Sequence, residues 1–554
     1  MHPLTPDAFR AWAASPADGA ARPTSGGAVL PAEFADPVCC WNICPAWTGP
    51  PKRPRQYGGA TTQYGGAIAL ERSPEPAAVR SGPPAPAAAP HLPRAGAPAR
   101  PGAAGGRHLM RRLLVETVGP DRHLLFNPLS GAVDLASDAD VARLDRLRRG
   151  EDAALTPAQE AALRARLYLF DGPGEEEACL EAAVTGAWER MARAQPQMYT
   201  LCPTLACNLA YGYCFEGDSL ADKPQGVMAE EQVGRAFAAI ARLRRQYADQ
   251  PSADQPAARQ ADALSGPPWI ALFGGEPLLP STRRSVAAIL RHAAAEGFLV
   301  AATTNGVNLA RFEDLLTEYA DILTVVQVTL DGPRAVHDAR RHRLGGQGTF
   351  DEIVRGVDLL LSLGIDVDLR VNLDAANVDA LPALVDFLHA KGWPAHPAFA
   401  LALAPVTVHG EAGGCRSKYD RALSELELAR RVVALAEAHP RVARLCHLGF
   451  LRHLEYLVSV LEPERLGPGR RGGARPVGPR YWYCEASTDK QYVFTPEGLI
   501  YSCTEAVGRP EHAVGRFDPD LTLWAEERGR WVGRTILSHP KCRECAISTL
   551  CGGG

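Results

Sequence analysis

The sequence has no large excess of charge of either sign: 59 Lys and Arg residues stand against 63 Asp and Glu, a formal net charge of -4. That balance gives no electrostatic reason to expect nucleic acid or an anionic membrane as the main partner. Also absent is any uninterrupted apolar run long enough to span a bilayer. The opening MHPLTPDAFRAW has no basic region followed by an apolar core, as a secretory signal would. The expectation is a cytoplasmic protein without a membrane partner. In that setting the 14 cysteines do not form a disulfide framework, and their clustering points to metal or redox work. At 554 residues the chain is too long for one ordinary core, so two to four domains are expected.

Residues 1–106 are dominated by Ala, Pro and Gly, as in SGPPAPAAAPHLPRAGAPARPGAAGG, and are expected to be a largely disordered extension. Two islands stand out: Cys39-Cys40-Trp41-Asn42-Ile43-Cys44, and a QYGGA repeat starting at Gln56 and Gln63. They read either as linker-like sequence or as a fused peptide substrate. Residues 107–174 turn globular. LLVETV and HLLFNP read as short strands, and DADVARLDRLRRG and TPAQEAALRARLYLF as helices, giving a small α+β unit. An amphipathic run from Glu175 to Ala194 makes residues 175–196 a helical linker.

From residue 197 the chain alternates strand and helix, which argues for an α/β fold with a parallel sheet or barrel. Four apolar runs end in polar or Gly-rich punctuation: WIALF before Gly274-Gly275-Glu276-Pro277, LVAATT before Asn305-Gly306, VVQVTL before Asp331-Gly332, and VDLRVNL before Asp374. Among the helices, TFDEIVRGVDLLLSLG begins with a capping box from Thr349 to Glu352 and stops at Gly364. Loops after the strands of such a barrel open on one face. The four strand ends should therefore converge with the loop LCPTLACNLAYGYCFEG at Leu201 to Gly217. Within that loop Cys207, Tyr211 and Cys214 hold the offsets of a CxxxCxxC iron–sulfur motif, with tyrosine in the middle position.

Taken together, PTLACNLAYGYCFEG, FGGEP, TTNG, VQVTLDGPRAVHDARR and LRVNLD, in this order, resemble the radical S-adenosylmethionine (SAM) enzymes over about Met198 to Val408. The resemblance implies a partial (β/α)6 TIM-like barrel over 197–408 that binds SAM and a [4Fe–4S] cluster. In that family a reduced cube passes an electron to the SAM sulfonium, and a 5′-deoxyadenosyl radical then abstracts hydrogen. By the same resemblance Cys207 and Cys214 are cluster ligands, with Tyr211 at the third position. Gly274, Gly275, Glu276, Pro277, Asn305, Thr329, Asp331 and Arg370 are expected on SAM, with Glu276 accepting from its ammonium and Arg370 pairing with its carboxylate. His337 and Asp338 match the family pattern as candidates for catalysis. A helix start is the structural alternative and accounts for them without a catalytic role. The GGQG near Gly345 lacks the spacing of a nucleotide loop and reads as a loop over the barrel mouth.

Residues 409–479 read as a helical bridge and linker, including GPGRRGGARPVGP. In 480–554, Cys484, a GLIYSC hairpin with Gly498 and Cys503, and Cys542-x2-Cys545-x5-Cys551 resemble the SPASM extension, which carries one or two auxiliary [4Fe–4S] clusters. Zinc is the alternative for such a CxxC pattern. The family pattern continues with a cysteine after three more residues and another further on. Because this sequence ends at Gly554, an incomplete auxiliary ligand set through truncation or a frameshift is expected, with an open substrate-binding site as the alternative.

SPASM-bearing members act mostly on peptides or proteins, and the unit at 107–174 resembles a winged domain that captures a leader peptide as an added strand. The reading is a peptide maturase forming a thioether or carbon–carbon crosslink, served by a flavodoxin- or ferredoxin-type electron donor. The alternatives are a catalytically impaired homologue that binds peptide or SAM, motivated by Tyr211, and a sulfatase-maturing enzyme.

Overall fold

The computed structural model describes residues 106–193, 196, 198–214, 226–248, 267–407, 419–446 and 479–553. The extension with its Cys39–Cys44 and QYGGA islands, and the linker GPGRRGGARPVGP up to residue 478, lie outside the described residues. No described helix is long and apolar enough to cross a membrane.

The first unit contains strands β1 (His108–Leu109), β2 (Leu114–Gly119), β3 (Arg122–Phe126), β4 (Val133–Ala136) and β5 (Leu169–Phe170), with helices Asp138–Arg148 and Pro157–Ala165 between β4 and β5. Strands β2, β3 and β4 form an antiparallel sheet, and β1 pairs antiparallel with β5. Both helices start on reciprocal capping boxes, Ser137 with Asp140 and Thr156 with Gln159, which satisfy backbone donors that would otherwise lack partners. The segment LYLF, read above as the end of the second helix, breaks away after Ala165. Leu167 takes φ +59 and Leu169–Phe170 continue as β5, because pairing with β1 buries both side chains.

A 21-residue helix, Pro173–Arg193, leads to the second unit. Here β6 (Met198–Leu201), β8 (Trp269–Leu272), β9 (Leu299–Thr304), β10 (Leu323–Thr329), β12 (Asp366–Leu373) and β13 (Phe399–Pro405) are all parallel and lie side by side in chain order. Two short strands, β7 (Leu209–Ala210) and β11 (His342–Arg343), pair with each other outside this sheet. Helices Glu230–Ala248, Arg283–Glu296, Glu313–Glu318, Phe350–Ser362 and Leu381–Ala390 alternate with the long strands. The strands read as near-continuous apolar runs because helices cover one face and the interior packs the other. Six parallel strands with intervening helices make the expected half-barrel.

The helix Phe350–Ser362 departs in detail from expectation. Thr349 makes no side-chain cap bond to the helix. Its hydroxyl donates to Arg341 O at 2.9 Å, while Asp338 Oδ1 accepts from the backbone N–H of Thr349 at 2.7 Å and of Phe350 at 2.9 Å. The cap thus comes from a residue eleven positions upstream, and Glu352 faces Arg343 instead. Gly364 follows the helix at φ +71, where a side chain would be strained.

The C-terminal region continues the same sheet. Strand β14 (Tyr492–Phe494) lies parallel to β6, followed by antiparallel β15 (Leu499–Tyr501), β16 (Gly515–Arg516) and β17 (Thr522–Leu523). The β6 edge of the half-barrel is thereby covered rather than left as an open ladder. The first unit and the helix after it pack on this region: Met110, Tyr168, Phe170 and Leu180 share an apolar cluster with Tyr481 and Ile536.

Candidate active site

Strand ends and the cysteine loop do converge. Gly275 N–H donates to Thr204 O at 3.3 Å and Glu276 N–H to Ala206 O at 2.8 Å, which docks the loop on the end of β8. A Cβ on Gly275 would lie 2.3 Å from Ala206 O and 2.4 Å from Leu205 O, so this approach requires glycine. The Glu276 carboxylate is buried and accepts three bonds, from Leu278 N–H at 2.8 Å, Thr304 Oγ1 at 2.6 Å and Asn305 N–H at 2.7 Å. Burial nevertheless raises its pKa above the ordinary carboxylate value, against the pull of those bonds. Pro277 follows, its carbonyl taken by Thr282 at 2.6 Å. Asn305 Nδ2 in turn donates to Asn208 Oδ1 in the loop at 2.8 Å.

Beyond β10, Asp331 is fully enclosed and accepts from Tyr213 OH and, at 3.0 Å, from Asn372 N–H. Thr329 lies opposite Arg370 in the ladder, and Arg370 Nε donates to Asn372 Oδ1 at 2.7 Å. Burial pulls the Arg370 guanidinium below its usual pKa. Arg340 makes a two-pronged pair with Asp374, at 3.0 and 2.8 Å, joined by Tyr419 OH at 2.6 Å.

The candidates His337 and Asp338 are both engaged structurally. His337 Nδ1 accepts from Asp331 N–H at 3.1 Å and Nε2 meets Thr349 Oγ1 at 3.1 Å. Burial, aided by the neighbouring Arg341 charge, depresses its pKa to about 3, so the ring is neutral. Asp338 caps the following helix, as described. The GGQG segment turns tightly after β11, with Gly348 packed directly on the Asp338 carboxylate.

Cys207, Tyr211, Tyr213, Cys214, Arg340 and Tyr419 line one cavity of about 1080 Å³. Behind this lining, buried Arg341 lies over the Tyr211 ring with Cζ 4.1 Å from the centroid, and its Nη1 donates to Tyr213 OH at 2.7 Å. The two tyrosine rings are tilted against each other at 4.9 Å. Burial raises the Tyr211 phenol well above its ordinary pKa, the Cys214 and Cys207 thiols push the same way, and the Arg341 charge opposes them. The third ligand position of the loop thus offers a protonated phenol with a cation on its face. Three protein thiolates are what a site-differentiated [4Fe–4S] cube needs from such a loop, and a phenol is a harder, bulkier donor. The residues at 207, 211 and 214 do not fit that cube.

The C-terminal cysteines fall into two groups. Cys484 and Cys503 share an apolar cluster with Cys202, which therefore packs toward the extension. Cys542, Cys545 and Cys551 lie near one another: burial raises the Cys542 thiol pKa, and the other two add to the effect. Among the described residues, no group of three or more His, Cys, Asp or Glu side chains is arranged to hold a metal ion.

Sequence reasoning missed Arg340, Arg341, Tyr213 and Tyr419. The signal for the first two was the dibasic Arg340-Arg341 directly after the His337-Asp338 pair.

Comparison with known proteins agrees with the fold. Residues 201–388 match the model of the Radical SAM superfamily. Over 133 residues the chain is 32% identical to an Fe-coproporphyrin III synthase of Methanosarcina barkeri (strain Fusaro / DSM 804), a match covering 24% of this chain and 31% of that protein, less than two thirds of its length. It is 25% identical over 362 residues to a serine-type anaerobic sulfatase-maturating enzyme of Klebsiella aerogenes, covering 63% of this chain and 76% of that one. Among solved structures, Streptococcus suis SuiB is similar with a TM-score of 0.41 at 15% identity, covering 81% of this chain and 95% of that one. With its ordered strand-end motifs and the family match across the half-barrel, residues 201–388 form a radical SAM domain.

Proposed function

We propose that this chain has the scaffold of a SPASM-type radical SAM peptide maturase, adapted to hold a ribosomal peptide across the barrel mouth and to direct thioether or carbon–carbon crosslinking. The observation that carries the reading is the open cavity of about 1080 Å³ at the mouth, where an apolar wall with Leu344 meets Arg340, Arg421 and Tyr419. That mixture suits a peptide segment better than a small metabolite. Strands β2 and β4 each pair with β3 alone among the described residues, so either can take a leader peptide as an added strand. The division into units at 107–174, 197–408 and 480–554 follows from this reading, as do a cytoplasmic site and a flavodoxin- or ferredoxin-type donor.

SAM cleavage is the chemistry that a bound cube supplies in the superfamily. This chain's own residues shape and orient: Glu276 ties the ends of β8 and β9 together, Asn305 holds the loop, and Asp331 gathers Tyr213 and the β12 end. The loop supplies two thiols, so the reading concerns scaffold and substrate, and turnover is assigned to the chain with Cys at 211. A second reading, sulfatase maturation, is favoured by the relative from Klebsiella aerogenes.

The test uses peptides with a leader and a Cys-bearing core, and a sulfatase-derived peptide bearing Cys or Ser. Wild type should bind the leader-bearing peptide, and reconstituted Y211C should give a crosslinked product two hydrogens lighter. A hydrazide-reactive aldehyde on the sulfatase peptide, with no crosslink, decides for the second reading. If neither peptide binds or changes, both readings fail.

A further inference from the structure

We infer that Tyr211 and Arg341 form a paired plug at the third-ligand position of the 207–214 loop, so that this loop does not retain a cube. The inference rests on reading the mouth as a radical SAM site. It adds a structural cause for the state of that site: the pairing of residue 211, just after β7, with residue 341, just before β11.

Backbone register sets the pair. Strand β7 runs antiparallel to β11 with Ala210 opposite His342 and Leu209 opposite Arg343. Carrying that ladder one step further places Tyr211 opposite Arg341. The guanidinium carbon then stands 4.1 Å from the ring centroid, close to van der Waals contact, so this face of the ring is taken. Arg341 is itself held from behind. Tyr213 OH accepts from its Nη1 at 2.7 Å and donates to Asp331 at the end of β10. Among the described residues Arg341 Nε has no hydrogen-bond partner, so the stack on Tyr211 and the bond to Tyr213 hold the cation.

Two consequences follow from geometry and charge. The large ring occupies the space where a third sulfur would meet those of Cys207 and Cys214, both of which line the same cavity. A guanidinium pressed on the ring face also keeps a fixed positive charge beside the phenol whose oxygen an iron would have to bind. Cys in place of Tyr211 removes the ring and supplies the sulfur, while Arg341 stays on Tyr213.

Four variants decide the matter: Y211C, Y211S, Y211F and the double variant C207A/C214A. After anaerobic reconstitution, iron and acid-labile sulfide per chain are counted. The double variant, which keeps the C-terminal thiols, serves as baseline. Wild type should exceed that baseline by less than a tenth of the increment found in Y211C, and Y211C should gain iron and sulfide equal to one cube. Y211S, which opens the same space without a thiol, and Y211F should match wild type. A full cube's increment in wild type overturns the inference, as does iron lost in Y211F, which would make the phenol a ligand. Equal gains in Y211S and Y211C, or no gain in Y211C, also overturn it. The count needs no peptide and no turnover. A Y211C chain that holds a cube yet modifies no peptide leaves the plug standing and sinks the functional reading.

Discussion

Replacing Glu276 tests whether the barrel mouth is braced from within. The carboxylate takes Leu278 N–H and Thr304 Oγ1 on one oxygen and Asn305 N–H on the other, at 2.6 to 2.8 Å. Bonds to a charged acceptor contribute about 1.5–3 kcal/mol each, and a buried donor left unpaired costs about 1–3 kcal/mol. Glu276→Ala strands three donors, but it also relieves the burial of a carboxylate whose pKa is raised by desolvation. The net loss expected is on the order of 3–6 kcal/mol. Glu276→Gln keeps one acceptor oxygen and turns an amide NH2 toward Asn305 N–H, for a loss of about 1–3 kcal/mol. At roughly 2–4 °C per kcal/mol for a domain of this size, the alanine variant should melt about 6–24 °C below wild type.

The pH dependence carries a second signature. A raised carboxyl pKa means that the native state binds its proton more tightly than the unfolded chain. Native stability from this group therefore grows as pH falls from neutral toward the unfolded value of 4.5. The gap between wild type and Glu276→Gln should widen over that interval, followed by urea unfolding at several pH values. If the alanine variant unfolds within 1 kcal/mol of wild type, counting the three bonds as a brace is wrong.

Three more predictions concern other parts of the fold. His337 is held neutral by burial with a pKa of about 3, so the unfolded chain takes up a proton below 6.5 that the native state refuses. Stability should fall as pH drops from 6.5 toward 3, by at most about 1.4 kcal/mol per pH unit, and His337→Asn should flatten that slope in urea titrations. Glu176 is fully enclosed and accepts from Arg112 Nη1 at 3.0 Å, with His108 and Arg111 beside it, while Arg112 also reaches Arg543 O near the C-terminal thiols. Glu176→Ala leaves Arg112 buried without its carboxylate and should cost about 3–5 kcal/mol, read as early proteolysis between the first unit and the rest. Gly275→Ala drives a Cβ to within 2.4 Å of two loop carbonyls, so the 204–214 loop must shift and its amide protons should exchange faster than in wild type.

The half-barrel was legible because its strands are apolar runs that end in residues with one strong local meaning each. Gly274-Gly275, Asn305-Gly306 and Asp331-Gly332 stop a strand and turn it, and the structure puts all three beside the cysteine loop. Glu276 was legible by position, though the sequence held no sign that its oxygens would be used by Thr304, Asn305 and Leu278. The cap on helix Phe350–Ser362 was misread because a local pattern, Thr349 to Glu352, competed with Asp338, whose approach depends on the chain folding back through β11. Arg341 escaped notice for the same reason. Nothing near it in sequence says that residue 341 will stand opposite residue 211, because a two-residue ladder between β7 and β11 makes that match. Docking of the first unit on the C-terminal cysteine region was likewise beyond any local pattern, since Met110, Tyr168 and Ile536 meet only in the folded chain.

The central claim is that the half-barrel is a radical SAM site from which position 211 has removed one iron ligand. Its most direct test is formation of 5′-deoxyadenosine from SAM and dithionite after anaerobic reconstitution, with wild type and Y211C side by side. The account predicts product from Y211C and none above the protein-free control from wild type. Product from wild type, or none from a Y211C chain that holds its cube, would contradict it.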